Sequence, residues 1–304
     1  MNKIIAVLLI ISLIGNIIGL YFAYHFLKFK GRIENMQESL DDAAKIISDL
    51  TDKVEANVSK RMVFLHHSVG KGILQQGGLR DSLLAIGISV KGATYGDEVG
   101  QFTDMCHWSP KFANDFDRIL DFKNHPNVYY QDGRSNDIIM FKSCFPNSFI
   151  TGEGSGPGDP TSRERTLQNY KASFAELGKV FRQHPDRLFI YMTFPPLTTA
   201  ETNPEAAKRA REFNNWLLSK FLPQYRQESG LDNFQIFDLF DILADSDNVL
   251  RREFHRDNEH DSHPNETGNK IVAQKFMEFF RPVWNQWENK SGTQAAATKA
   301  ALSS

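Results

Sequence analysis

The first feature of the chain is an apolar run over residues 4–27 that contains no Asp, Glu, Lys or Arg. About 20 apolar residues are enough for a helix to cross a bilayer. The run therefore predicts a transmembrane signal anchor at 1–30. A cleaved signal peptide is the alternative, but the apolar part is longer than the roughly 7–15 residues of a typical signal-peptide core.

Charges beside this run bear on the orientation. Lys3 precedes it, and Lys28, Lys30 and Arg32 follow it. Under the positive-inside rule this distribution slightly favours a cytoplasmic body. Many exported, tethered enzymes nevertheless begin with one long apolar segment. We expect a single-pass membrane protein with an extracytoplasmic body, and the sequence leaves the orientation open.

A heptad pattern follows the apolar run. Apolar residues recur at alternating steps of three and four, a spacing typical of a coiled coil; they are Ile33, Met36, Leu40, Ala43, Ile47, Leu50 and Val54. We predict a coiled-coil stalk at 31–60 that joins copies of the chain into a homo-oligomer. An amphipathic helix packed on the body is the alternative.

From residue 61 short buried apolar runs alternate with helical patterns. Strands are predicted over 62–65, 88–95, 137–144, 187–197 and 233–243, and a helix is predicted to begin at Ser109 and Pro110. This alternation is typical of a mainly parallel α/β sheet with helices on both faces. We assign 61–288 to this domain and 289–304, which is small and polar, to a disordered tail.

Composition narrows the function. The 304 residues carry a formal net charge of -2, with no basic stripe that would suit nucleic acid. Two cysteines exclude a disulfide-rich scaffold and a four-cysteine metal site. Cys106 and Cys144 are either one disulfide or two buried thiols.

Two polar segments carry candidate chemistry. Ser68 directly follows the first predicted strand, and His263 precedes the last predicted helix. Ligands of parallel sheets bind beyond the carboxyl ends of the strands, where Ser68 is expected. A serine nucleophile needs a base to take its proton and donors to hold the oxyanion. His263 is the candidate base.

Three segments carry a resemblance to a known family: "FLHHSVGKGIL", "DIIMFKSCFPNS" and "DSHPNETGNKIVAQKF". Over about residues 61–285 the chain resembles the SGNH/GDSL hydrolase superfamily, in a divergent branch with His-His-Ser in place of Gly-Asp-Ser. The resemblance implies a flavodoxin-like three-layer α/β/α sandwich. It also implies an esterase of acylated small molecules or carbohydrates, with no metal and no cofactor.

The resemblance implies Ser68 as the nucleophile and His263 as the base. The family places an Asp three residues before the base, where this chain has His260. Asp261 is therefore our choice for the orienting acid. Asp257 with His260 is the alternative pair.

The same resemblance places an oxyanion glycine in "TYGDEVGQF", as Gly96 or Gly100. The usual Gly-x-Asn-Asp is absent, and Asn147 is the only amide in "KSCFPNS". Lys142 either stabilises an anion or is a surface lysine at a strand end. His67 is expected to pack beside the substrate pocket.

Other functions stay open at this point. The His and Asp cluster of 255–263, near His66 and His67, suits zinc or manganese in a metal-dependent hydrolase. The irregular motifs also allow a tethered binding protein without catalysis. Within the serine mechanism, a sugar hydroxyl in place of water would make the enzyme an acyltransferase.

Overall fold

The computed structural model describes residues 25–30, 32, 36, 39 and 58–302, with side chains through residue 289. The chain divides into a first unit, 1–57, and a second unit, 58–304. The predicted transmembrane run 4–27 and coiled coil 31–60 lie almost entirely outside the described residues. Within the described part of the chain, no helix is both long and apolar enough to cross a membrane.

The second unit is built on a five-stranded parallel sheet with the order β2-β1-β5-β6-β7. Its strands are β1 (Lys60–Leu65), β2 (Ile88–Ala93), β5 (Ile138–Lys142), β6 (Leu188–Met192) and β7 (Phe234–Phe237). Strands β3 (Phe122–Asn124) and β4 (Val128–Tyr129) form a separate antiparallel pair. Counting only the five parallel strands, the order is 2-1-3-4-5, which is the flavodoxin-like order.

Helices connect these strands. They are α1 (Ser68–Gln75), α2 (Leu79–Leu84), α3 (Met105–Asn114), α4 (Phe116–Asp121), α5 (Leu167–Gln183), α6 (Pro204–Trp216), α7 (Leu222–Ser229), α8 (Leu239–Leu243) and α9 (Glu266–Leu302). A π-helical turn, Leu217–Phe221, joins α6 to α7, and two 3-10 turns lie at Phe145–Ser148 and Arg252–Phe254.

Alternation along the strands divides the core into two layers. Val63 and Leu65 pack with aromatic side chains of α3, α5 and α6, whereas Met62 and Phe64 pack under α1, α2 and α9. Successive strand residues point to opposite faces, so a strand buried on both faces reads as a continuous apolar run. The predicted mainly parallel α/β sheet with helices is confirmed.

The predicted strand over 233–243 is too long. Strand β7 ends at Phe237, and Asp238 begins α8 because its carboxylate accepts the Asp241 N–H at 3.1 Å. An aspartate at this position caps the first turn of a helix and ends the extended run. Because apolar residues lie on both sides of Asp238, the apolar pattern does not show the change from strand to helix.

Two helix boundaries also differ from the predictions. Helix α3 begins at Met105, four residues before Ser109, because Asp104 and His107 form a capping box. At the other end, α9 continues to Leu302, whereas 289–304 was predicted to be disordered. The alanines of this tail favour helix intrinsically, and the disordered tail at 289–304 stays a prediction.

Candidate active site

The turn from β1 into α1 presents Ser68. Strand β1 ends at Leu65, and Ser68 is the first residue of α1. His67 occupies the N-cap position without a side-chain cap, so its side chain takes none of the first N–H groups of the helix. The half-buried Ser68 hydroxyl therefore lies at the positive end of a helix, beyond the carboxyl end of the sheet.

His263 meets Ser68 across 195 positions of the chain. The Ser68 Oγ and His263 Nε2 atoms are 2.6 Å apart. Asn265 holds the loop that carries His263. Its backbone N–H donates to the Phe254 carbonyl, and its side-chain Oδ1 accepts the Gly268 N–H. The edge of the Phe145 ring contacts the imidazole, with the ring centroids 4.8 Å apart.

Asp261 holds the far side of the imidazole. Its Oδ1 contacts His263 Nδ1 and also accepts the His263 backbone N–H at 2.9 Å. With Nδ1–H directed at Asp261, Nε2 is left as the acceptor for the serine hydroxyl. A carboxylate bonded to an N–H two residues on is an Asx turn, and this turn lets an acid at the second position before the histidine reach the ring.

Several charges act on Asp261. Burial alone would raise its pKa, but the hydrogen bonds from His263 and the positive charge of Arg256, 3.4 Å from Oδ2, together hold the pKa below its usual value. The acid is therefore ionised at neutral pH and can stabilise a protonated imidazole.

The alternative acid pair lies away from this contact. Asp257 and His260 are exposed, and the His260 backbone N–H donates to Asn258. The ring of His255 bonds to the Leu250 carbonyl at 2.9 Å. In the described part of the chain, no three His, Cys, Asp or Glu side chains are grouped so that they could hold a metal ion.

Both ring nitrogens of His67, the residue directly before Ser68, are hydrogen-bonded. Its Nε2 lies 2.9 Å from the Gly100 carbonyl, so Nε2 carries the proton. Its Nδ1 then accepts from either the Cys144 thiol at 3.0 Å or the Thr103 hydroxyl at 3.1 Å. Burial lowers the pKa of His67, so the ring is neutral at pH 7. Cys106 and Cys144 are both free thiols.

The two glycines proposed for the oxyanion have other contacts. The Gly100 N–H donates to the Asp97 carbonyl at 3.1 Å, and a side chain there would meet the backbone of Thr94 at 2.3 Å. Gly96 has φ +89°, and its carbonyl accepts from Asn127. Close backbone packing and a left-handed turn explain these glycines without an oxyanion.

Asn147 has a structural role that differs from the prediction. Its Nδ2 donates to Asp104 at 2.8 Å and to the Cys144 carbonyl at 3.1 Å, while its Oδ1 accepts the Met105 N–H at 3.0 Å. The side chain is buried and fixes the start of α3. All its strong hydrogen-bonding groups are therefore used.

Lys142 is buried, which differs from the surface-lysine alternative. Its Nζ donates to the Ser143 carbonyl at 2.7 Å, and burial lowers its pKa to about 8, opposed by Cys144. Stabilisation of an anion by Lys142 stays a prediction. His66 is also buried, and burial lowers its pKa to about 4, opposed by the hydrogen bond to His67.

Comparison with known proteins identifies the family. Residues 59–276 match the model of the GDSL-like lipase/acylhydrolase family. The chain belongs to this family. It is therefore an SGNH-type esterase, as the resemblance implied. The His-His-Ser branch stays a prediction, and no curated protein matches the chain in sequence.

Among solved structures, a GDSL-like lipase from Bacteroides thetaiotaomicron is 11% identical over 72% of this chain and 86% of its own, with a TM-score of 0.42. A family two carbohydrate esterase from Clostridium thermocellum, solved with cellohexaose, is 10% identical over 76% of this chain and 66% of its own, also with a TM-score of 0.42.

In this GDSL-family chain the sequence prediction missed Tyr95, Thr103 and Cys144. All three lie around His67, and Tyr95 stacks on its ring with the centroids 3.7 Å apart. Tyr95 and Thr103 follow strand β2, and Cys144 follows β5. Their positions after strand ends were a usable signal, because parallel strands end at one edge.

Proposed function

We propose that this GDSL-family esterase cleaves acyl esters with Ser68 as nucleophile, His263 as general base and Asp261 as orienting acid. The 2.6 Å contact between Ser68 Oγ and His263 Nε2 carries the proposal. Without a base at hydrogen-bonding distance a serine hydroxyl is a poor nucleophile at neutral pH.

Each proton has a defined place in this mechanism. Ser68 Oγ attacks the acyl carbonyl while its proton passes to His263 Nε2, and Asp261 stabilises the imidazolium. The tetrahedral intermediate collapses, and the alcohol leaves with the proton from Nε2. Water, activated by the same nitrogen, then releases the acid and restores Ser68. A sugar hydroxyl in place of water would give acyl transfer.

For the substrate we propose an acylated carbohydrate or another polar acylated molecule. A cavity of about 410 Å³ opens beside the site, and its wall includes Tyr95 and Lys71, one turn after Ser68 on α1. Most of its other lining groups are polar: His66, Gln75, Arg80, Thr94, Asn124 and His125. Hydrogen-bonding groups of this kind suit a polyol better than a long alkyl chain.

The proposed enzyme is held at a membrane by residues 4–27, with its body on the extracytoplasmic side. The uncharged apolar run supports the anchor, and the heptads over 33–58 support a homo-oligomeric stalk. Protease added to intact cells should digest the body. Protection of the body until the cells are lysed would contradict this orientation.

The catalytic proposal is tested with the full chain in detergent. We expect a fluorophosphonate probe to label the parent and Ser155→Ala, which changes an exposed serine. Ser68→Ala should take no label and should lose hydrolysis of acetylated sugars and aryl acetates. Equal labelling and equal rates in Ser68→Ala would refute the nucleophile.

A further inference from the structure

An oxyanion needs at least two well-placed donors, and two of the residues expected to supply them, Gly100 and Asn147, are engaged elsewhere. The Gly100 N–H donates to Asp97, and both Asn147 Nδ2 protons are directed at Asp104 and the Cys144 carbonyl. The Ser68 N–H is one donor, since it starts α1. A side chain next to Ser68 can supply the second donor.

Tyr95 has the required chemistry and position. It lies two residues after the end of β2, and its ring stacks on His67, the residue directly before Ser68; hydrogen bonds with Ser68 and Cys144 act on the pKa of its hydroxyl. Its ring lies on His67, with an interplanar angle of 26°. The side chain is 58% exposed, so its hydroxyl can turn toward a substrate without repacking the core.

His67 gives Tyr95 a fixed platform. The Gly100 carbonyl holds one ring nitrogen at 2.9 Å, and Cys144 or Thr103 donates to the other. A stacked neutral ring restricts the phenol plane, and the hydroxyl keeps only its rotation about the C–O bond. The stacking explains why a histidine directly precedes the nucleophile: the His67 ring orients Tyr95.

We propose that the Tyr95 hydroxyl and the Ser68 N–H together bind the oxyanion of the tetrahedral intermediate. The inference rests on Ser68 being the nucleophile. As the Ser68 Oγ–carbon bond forms, the carbonyl electron pair moves to oxygen, and Tyr95 donates a hydrogen bond to it. Tyr95 keeps its proton throughout, and its bond is released when the carbonyl reforms and the alcohol departs.

The state of the phenol agrees with this role. Burial raises the pKa of Tyr95, and the neighbouring Cys144 thiol raises it further. The hydroxyl therefore stays protonated over the neutral range. A donor with a fixed proton and a fixed ring is suited to bind charge as it develops.

The test uses Tyr95→Phe in the full chain, which keeps the stacked ring and removes only the hydroxyl. We expect kcat on an aryl acetate to fall about 100-fold with KM nearly unchanged, the size of effect known for one lost oxyanion donor. Binding of a boronic acid, which forms a tetrahedral anion on the serine, should weaken by a similar factor. Tyr225→Phe, which removes a hydroxyl that donates to Asn233 before β7, should match the parent in kcat.

The inference is overturned by an unchanged kcat in Tyr95→Phe, or by a kcat above the parent value, which would mean that the hydroxyl blocks the site. A rise in KM alone would make Tyr95 a substrate contact and would also overturn it. Ser68→Ala separates the two proposals. Retained hydrolysis in Ser68→Ala refutes the nucleophile, whereas loss there with a normal Tyr95→Phe refutes only the role of Tyr95.

Discussion

The two sides of Ser68 are built differently. On one side stand His263 and Asp261, from a single short loop whose Asx turn joins the acid to the base. On the other side stand Tyr95, His67 and Cys144, brought together from the ends of β2, β1 and β5. On the first side, the proposed base and acid have the roles that the family implies, with the acid one position closer to the histidine. On the other side, the groups that we propose for the oxyanion differ from the glycine and asparagine that the family implies.

This difference follows from what each side has to do. A base must place one nitrogen at one oxygen, so the acid behind it can shift by a residue if the turn compensates. An oxyanion site needs only donors at the right point, and a hydroxyl can replace an amide. Exchange of donor types is therefore tolerated more easily than exchange of the base.

The largest expected effect is the loss of kcat when the proposed base or acid is replaced. His263→Asn should reduce kcat by about 10⁴-fold or more, and Asp261→Asn by about 10⁴-fold, because an amide favours the wrong tautomer of the imidazole. Hydrolysis rates of the purified variants measure this. His260→Asn is the matched control and should keep full activity. The reverse result would move the base to His260.

The next effect concerns the pH dependence of stability that the buried His66 causes. The buried His66 has a folded pKa of about 4, below the value of 6.5 expected when unfolded. The unfolded chain therefore binds the extra proton, and stability is lost as pH falls from 6.5 through 4, by roughly 3 kcal/mol in total. Denaturant unfolding at pH 7 and pH 4 should show this loss, and His66→Gln should reduce it.

His260→Gln, which changes an exposed histidine, should keep the parent's loss of stability on acidification. If His66→Gln has the same pH dependence as the parent, His66 is not the group responsible.

The smallest effect tests whether Asn147 stabilises the fold or binds the oxyanion. Asn147→Ala should lower the free energy of unfolding by about 2 kcal/mol, because buried partners at the start of α3 lose their hydrogen bonds. Its kcat per folded molecule should stay within a few-fold of the parent. Asn215→Ala, at an exposed position, is the control. A 100-fold loss of kcat at full stability would return Asn147 to the oxyanion site.

The sequence was most informative where one local pattern determines the outcome. Buried apolar runs placed all five strands of the sheet, and the strand-to-helix turn placed Ser68 at the carboxyl edge. The family resemblance pointed to His263 and Asp261, and the structure brings His263 to Ser68 and Asp261 to His263. The heptads and the apolar anchor lie outside the described residues and stay predictions.

The oxyanion side could not be predicted in the same way, because its residues have no fixed spacing. Asn147 looked suitable as an amide after a strand, but its contacts depend on Asp104, 43 positions earlier. The position of Tyr95 after β2 indicates the same sheet edge as Ser68, but it does not indicate that the ring stacks on His67. Only the register of β1 between β2 and β5 brings these residues together.

The separation of 195 positions between Ser68 and His263 has a consequence for synthesis. A ribosome makes the nucleophile early and the base late, so a partly made chain carries a serine with nothing to activate it. With His263 as the proposed base, we expect any product that stops before residue 263 to be inactive even if its strands have paired. We therefore expect catalytic activity only after nearly the whole domain has been synthesised.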